Sequence, residues 1–123
     1  MKRQTIILSA LLAIGVLYLL HVLGIIYFYW TYWWYDVITH FLGGMVVGLG
    51  LCWALFSLKN FRTKILIVFI STLLIGIGWE VFEYYYDISK SQENYTRDTL
   101  NDLTLDVAGA LLVVALTSKK RNV

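Results

Sequence analysis

Charged positions divide the chain into apolar blocks. Residues 4–35 and 37–58 contain no Asp, Glu, Lys or Arg, and about 20 mostly apolar residues suffice for one helix to cross a bilayer. Each block therefore predicts one span, near residues 6–28 and 37–58. The next uncharged stretches, 65–79 and 107–118, are too short to cross alone. Extending them to 65–86 and 99–117 completes two more spans, but takes Glu80, Glu83, Asp102 and Asp106 into the membrane. The pattern predicts an all-α, polytopic membrane protein, a single transmembrane domain over residues 1–123 built as a four-helix bundle. The longest polar stretch, about 87–98, reads as the third loop, and no repeat or linker interrupts the chain.

Composition supports this reading. The chain is 59% hydrophobic and 15% charged, with a mean hydropathy of +0.70, whereas a soluble domain carries about 25% charged residues. That excludes an ordinary cytosolic enzyme or a disordered tail. The single Cys52, in the inner half of its span, excludes a disulfide scaffold and reads as a packing residue. Met1-Lys2-Arg3 ahead of an apolar run is also how a signal peptide begins. The run continues through Trp30, longer than a signal h-region, so it is read as a retained first span.

The two signs of charge separate. On a four-span topology, Lys2, Arg3, Lys59, Arg62, Lys64, Lys119, Lys120 and Arg121 fall on one side, and Lys90 and Arg97 on the other. The positive-inside rule then puts both termini in the cytoplasm of a multi-pass inner-membrane protein. The acids, Asp36, Glu80, Glu83, Asp87, Glu93, Asp98, Asp102 and Asp106, all take the outer half.

Spacing gathers these acids into stripes. Asp36, His40, Gly44 and Gly48 step by four residues; so do Asp98, Asp102 and Asp106, with Gly109 following. Gly76, Glu80, Glu83 and Asp87 share a third helix face. Glycines in such stripes let membrane helices approach closely, so the three stripes are expected to face one another. A carboxylate at the bilayer centre costs about 2.5–3.5 kcal/mol on insertion scales. Three compensations are open: protonated carboxyls, a water-filled cavity, or a bound cation. A divalent metal (Mg, Mn, Ca or Zn) accounts most economically for His beside Asp and for Glu-x-x-Glu facing Asp-x3-Asp. The candidate ligands are Asp36, His40, Glu80, Glu83, Asp98, Asp102 and Asp106, with Glu80, Glu83 and Asp102 as catalytic candidates.

Other positions carry two readings each. Asp98 serves equally as a helix cap, and His21 is a weaker ligand or proton carrier. Arg97 pairs with a nearby acid or receives a substrate phosphate or carboxylate. Tyr27, Tyr29, Trp30, Tyr32, Trp33, Trp34 and Tyr35, with Tyr84–Tyr86, form an interfacial aromatic belt. The sharper alternative makes Trp33 and Trp34 a platform for an amphiphile head group. Asn94-Tyr95-Thr96 matches a glycosylation sequon, a pattern common by chance. No phosphate-binding glycine loop, serine elbow, zinc-protease motif or basic groove for nucleic acid is present.

Tyr35-Asp36-x3-His40-Phe41-x2-Gly44, Trp79-Glu80-x2-Glu83 and Asp98-Thr99-x2-Asp102-Leu103-x5-Gly109-Ala110 resemble the YjdF-type group of small inner-membrane proteins. They also resemble, more distantly, VanZ-like proteins, which are associated with resistance to teicoplanin-type antibiotics. The resemblance covers about residues 35–110 and implies no established catalytic role. Glu80-x2-Glu83 stands where the VanZ-like pattern has Glu-x2-Gln. Three functions stay open. The leading one is a metal-dependent enzyme acting on a lipid or lipid-linked phosphate at the outer leaflet. The others are a non-enzymatic, VanZ-like binding protein for an amphiphile or glycopeptide, and a proton or cation carrier. The bilayer is the expected partner; a homo-oligomer is left open.

Overall fold

In a computed structural model, residues 1–86, 88 and 95–118 are described. Asp87, Lys90, Glu93, Asn94, Lys119, Lys120 and Arg121 lie outside them. Among the described residues there are four long helices and no strand. Helix α1 (Arg3–Leu23) runs into a π-helical turn (Gly24–Phe28), followed by α2 (Trp33–Ala54), α3 (Phe61–Tyr86) and α4 (Tyr95–Ser118). All four are long and apolar enough to cross a membrane. In hydrocarbon, backbone amides must be satisfied within the segment, which favours helix throughout.

The helices do not stop where the charge-free blocks stop. α3 begins at Phe61 and takes in Arg62 and Lys64, and α4 begins at Tyr95 and takes in Arg97 and Asp98. Arg62 and Arg97 are exposed, as long basic side chains at a span end are when their heads reach the interface, whereas Lys64 is buried. α2 starts at Trp33, four residues ahead of the expected boundary, and ends at Ala54. Asp36 thus lies in its first turn, where the helix dipole favours an anion.

The N-terminal amine lies 3.5 Å from the Thr117 carbonyl, so the start of α1 and the end of α4 share one end of the bundle. There Ile6, Ala10, Leu49, Cys52, Val68, Ala110, Val113 and Val114 pack together as an apolar core, with Lys64 and Thr117 also buried. Cys52 is buried among them and accepts a hydrogen bond from the Thr117 hydroxyl at 3.5 Å. Arg3 stacks over the Trp53 ring at 4.8 Å, a favourable cation–π contact.

The most intimate pair is α2 with α4. Both run away from the other end of the bundle, so they are parallel. A Cβ on Gly44 would overlap the Asp106 carbonyl, one on Gly109 would overlap the Phe41 carbonyl, and one on Gly48 would press on Ala110. Only glycine permits backbones this close. The resulting register sets Asp36, His40 and Gly44 beside Asp98, Asp102 and Asp106, four-residue step against four-residue step. α1 packs chiefly on α2, and α3 chiefly on α4.

Candidate metal centre

The site lies at the end of the bundle away from the start of α1 and the end of α4. His40, Glu80, Glu83, Asp102 and Asp106 are buried, and Asp36 and Asp98 are half-buried. The glycine contact between α2 and α4 puts His40 among acids from three helices. Its Nε2 lies 3.7 Å from Asp36 Oδ1, 3.8 Å from Glu80 Oε1 and 3.7 Å from Asp102 Oδ2. These separations are too long for good hydrogen bonds. Bonds of about 2.0–2.4 Å to one cation place neighbouring ligand atoms roughly 3–4 Å apart, so each acid by itself stands at a distance from Nε2 that a shared ion could span.

The other ring nitrogen is engaged differently. His40 Nδ1 and Asp106 Oδ1 form a buried hydrogen bond of 3.2 Å. An ionised carboxylate has no proton to give, so Nδ1–H donates and, in the neutral ring, the Nε2 lone pair points at the three remaining carboxylates. A His held by a carboxylate through its far nitrogen is the usual arrangement behind a metal-bound imidazole. Asp106 therefore orients the ring, while Asp36, Glu80 and Asp102 face the opposite nitrogen.

The glutamates are held from outside the cluster. Thr99 Oγ1 donates to Glu80 Oε2 at 2.9 Å, and Trp79 Nε1 donates to Glu83 Oε1 at 2.8 Å. Glu80 Oε1 is left buried with no hydrogen-bond partner, on a side chain 7% exposed. A buried unpaired carboxylate oxygen is costly, and this one is directed at His40 Nε2. Two groupings can hold a metal ion: Asp36, His40 and Asp102, and His40, Glu80 and Glu83. They share a single imidazole. Asp98 belongs to neither.

Local electrostatics fit an anionic site. The amino ends of α2 and α4 both point here, and each contributes a partial positive charge. The carboxyl end of α3 points here too and opposes them, leaving Glu80 and Glu83 in the least favourable position.

A second polar pair, not singled out from spacing, lies close by. The His21 Nδ1 and the Tyr29 hydroxyl share a hydrogen bond of 2.9 Å. Gly24 makes it possible, since a Cβ there would overlap the Tyr29 ring folded back across the π turn. Burial pushes the Tyr29 phenol above its ordinary range, so it keeps its proton. The His21 ring meets Trp79 edge to face at 5.2 Å, which bridges α1 and α3 at the outer rim. Beneath that bridge a cavity of about 330 Å³ reaches His40, Glu83 and Asp106.

The aromatic residues divide. Trp33 is 76% exposed, and Trp34 and Tyr85 also face outward, as a belt requires. Tyr35 turns inward and donates to the Leu20 carbonyl at 2.6 Å. Arg97 is exposed in the first turn of α4.

A family model described as "Predicted membrane protein (DUF2238)" matches residues 2–122, and the chain belongs to that family. The YjdF-type resemblance is consistent with this membership. Neither a curated protein nor a solved structure matches the chain.

Proposed function

We propose that this DUF2238 protein binds one divalent cation through His40 Nε2, Asp36 and Asp102, with Glu80 Oε1 3.8 Å from the same nitrogen, and is a metal-dependent enzyme acting on the phosphate of a lipid or lipid-linked substrate. One observation carries the cation. A buried imidazole, tied back by Asp106, presents its other nitrogen to three carboxylate oxygens at 3.7–3.8 Å, one of them otherwise unpartnered. Because Nδ1 is taken, the shared imidazole serves one ion, and the grouping with Glu80 and Glu83 is the alternative ligand set. The oxygen-rich set with one imidazole suits Mg, Mn or Zn better than a soft metal. Glu83, held by Trp79, stands next to the ligands as the candidate proton acceptor. A cation here would polarise a phosphoryl oxygen or activate water. Arg97, Trp33 and Trp34, nearer the rim, are candidates for steadying a head group.

The basic residues Lys2, Arg3, Lys59, Arg62 and Lys64 cluster at the end where α1 begins and α4 ends, which favours a cytoplasmic position for that end. The centre then works in the outer half of an inner membrane.

Purified protein analysed for metals is expected to hold about one divalent ion per chain. Adding that ion at 100 times its Kd to chelated protein is expected to stabilise the fold by about 2.7 kcal/mol, read as a rise in melting temperature. Thr99→Val, which takes the donor from Glu80, is expected to weaken binding by about 10-fold, the low end for loss of an outer partner. A metal-free protein with an unmoved melting temperature would instead make His40 an imidazolium paired with its carboxylates, a proton-carrying arrangement.

A further inference from the structure

We infer that the cavity between α1 and α3 binds a lipophilic amine from the bilayer, with its ammonium on the Glu83 carboxylate and a hydrogen-bonding group of its apolar body at Thr72. This site is separate from the phosphate chemistry above and needs no ion at His40.

The polar end of the cavity is acidic and aromatic. Glu83 and Asp106 line it beside Tyr29 and Trp79, and among the described residues no Lys or Arg does. Asp106 is already engaged by His40 Nδ1. Glu83 is 5% exposed; its Oε1 accepts from Trp79 at 2.8 Å, and no described residue donates to its Oε2. Asp36, Glu80 and Asp102, which face His40 Nε2, do not line the cavity. An ion held by Asp36, His40 and Asp102 therefore leaves Glu83 without a cation on the cavity side. A buried carboxylate calls for a paired cation or a proton. An ammonium brings three donors, and aromatic rings such as those of Trp79 and Tyr29 attract it further. A phosphate at this end would meet like charge.

The remaining walls are mostly apolar and open toward lipid. Tyr18 is 71% exposed and Ile75 51% exposed, and both line the cavity within membrane-spanning helices. One polar group stands among these walls. Thr72 lines the cavity, is 1% exposed, and its hydroxyl has no hydrogen-bond partner. A helical threonine commonly donates to a carbonyl one turn back, as Thr104 and Thr117 do. Buried polar groups in native folds are paired, so the Thr72 hydroxyl is left for an occupant. Thr72 precedes Glu83 by 11 residues on α3, about 16 Å of helix rise. Two hydrogen bonds of about 2.8 Å take up part of that length, so the ligand's two polar groups stand on the order of 10 Å apart.

The test uses the full-length protein in phosphatidylcholine nanodiscs, with octylamine bearing a photoreactive diazirine in its chain. Labelling is expected on Leu17, Val46 or Val47, which line the cavity. Unlabelled octylamine is expected to suppress it about tenfold better than octanol or octyl phosphate, the margin of a hydrogen bond to a charged group. Glu83→Gln, which keeps an acceptor for Trp79 and loses the charge, is expected to cut amine labelling by a similar factor. The amino alcohol 8-aminooctanol is expected to compete about fivefold better than octylamine, the margin of one net hydrogen bond, and Thr72→Val is expected to erase that advantage. Octanol or octyl phosphate competing as well as octylamine overturns the amine site, and so does label spread over Leu8 and Leu12. Equal labelling of wild type and Glu83→Gln overturns the pairing with Glu83. An amino alcohol with no advantage in the wild type overturns the contact at Thr72. The competition series needs no variant, so it decides the matter even where Glu83→Gln fails to fold.

Discussion

His40→Ala is expected to abolish divalent-cation binding, and any activity on a phosphate substrate with it. The imidazole is the one non-carboxylate donor in the cluster and the point where acids from α2, α3 and α4 converge. Its loss removes a ligand and leaves three carboxylates facing each other across the gap. Asp106→Asn is a graded comparison. It keeps the shape but alters the bond that fixes the ring, and loss of such an outer partner costs about 10–100-fold in affinity. Titration calorimetry on both variants in the same lipid checks the ordering: no measurable binding for His40→Ala, weakened binding for Asp106→Asn. Free imidazole is expected to restore part of the binding to His40→Ala and none to Asp106→Asn. Equal, mild effects of the two substitutions would mean that the imidazole holds no ion.

Gly44→Leu is expected to be the most damaging single change to the fold. A side chain there has nowhere to go, because its first carbon already overlaps the Asp106 carbonyl. Backbone cannot rotate aside as a side-chain tip can. The cost is therefore expected to exceed the about 1–3 kcal/mol typical of an overfilled core. It also outweighs the 0.5–1 kcal/mol or so that a helix gains when glycine is replaced. α2 and α4 would separate, and His40 would move away from Asp102 and Asp106. Gly43→Ala, one residue away, is expected to be neutral within about 0.5 kcal/mol. Thermal unfolding of the pair in detergent checks the contrast, and equal melting temperatures would remove the close α2–α4 contact from the description.

Much of this was legible in residue order. Uncharged runs mark the membrane helices, since lipid tolerates so few charges. The four-residue steps through Asp36, His40 and Gly44, and through Asp98, Asp102 and Asp106, mark the faces that meet. The expectation that these stripes confront one another holds, and the parallel register explains why the same step recurs on both helices. Helix ends were less legible. Charge-free length is a proxy for the hydrocarbon interval, while the helix itself continues into the interface, as with Arg62 and Lys64 on α3 and Arg97 on α4.

What each atom does depends on register and depth, which periodicity leaves open. Asp102 and Asp106 sit on one stripe, yet Asp102 faces Nε2 and Asp106 holds Nδ1, because they meet the ring from different depths. The Thr99–Glu80 and His21–Tyr29 bonds cross between segments, so no spacing rule reaches them. A trace was present in Gly24 ahead of an aromatic run, where a glycine permits a ring to fold back. The cavity was the least legible feature. It exists because α1 and α3 pack on different neighbours, and helices as uniformly apolar as α1 do not reveal which neighbour they choose.

The most direct test is X-ray absorption at the metal edge, on protein loaded with Mn or Zn in lipid. The expected spectrum shows one imidazole among oxygen donors at about 2.0–2.2 Å, with the imidazole signature lost in His40→Ala. A protein that takes up no stoichiometric metal, or a bound ion with only oxygen neighbours in the wild type, would contradict a cation centred on His40.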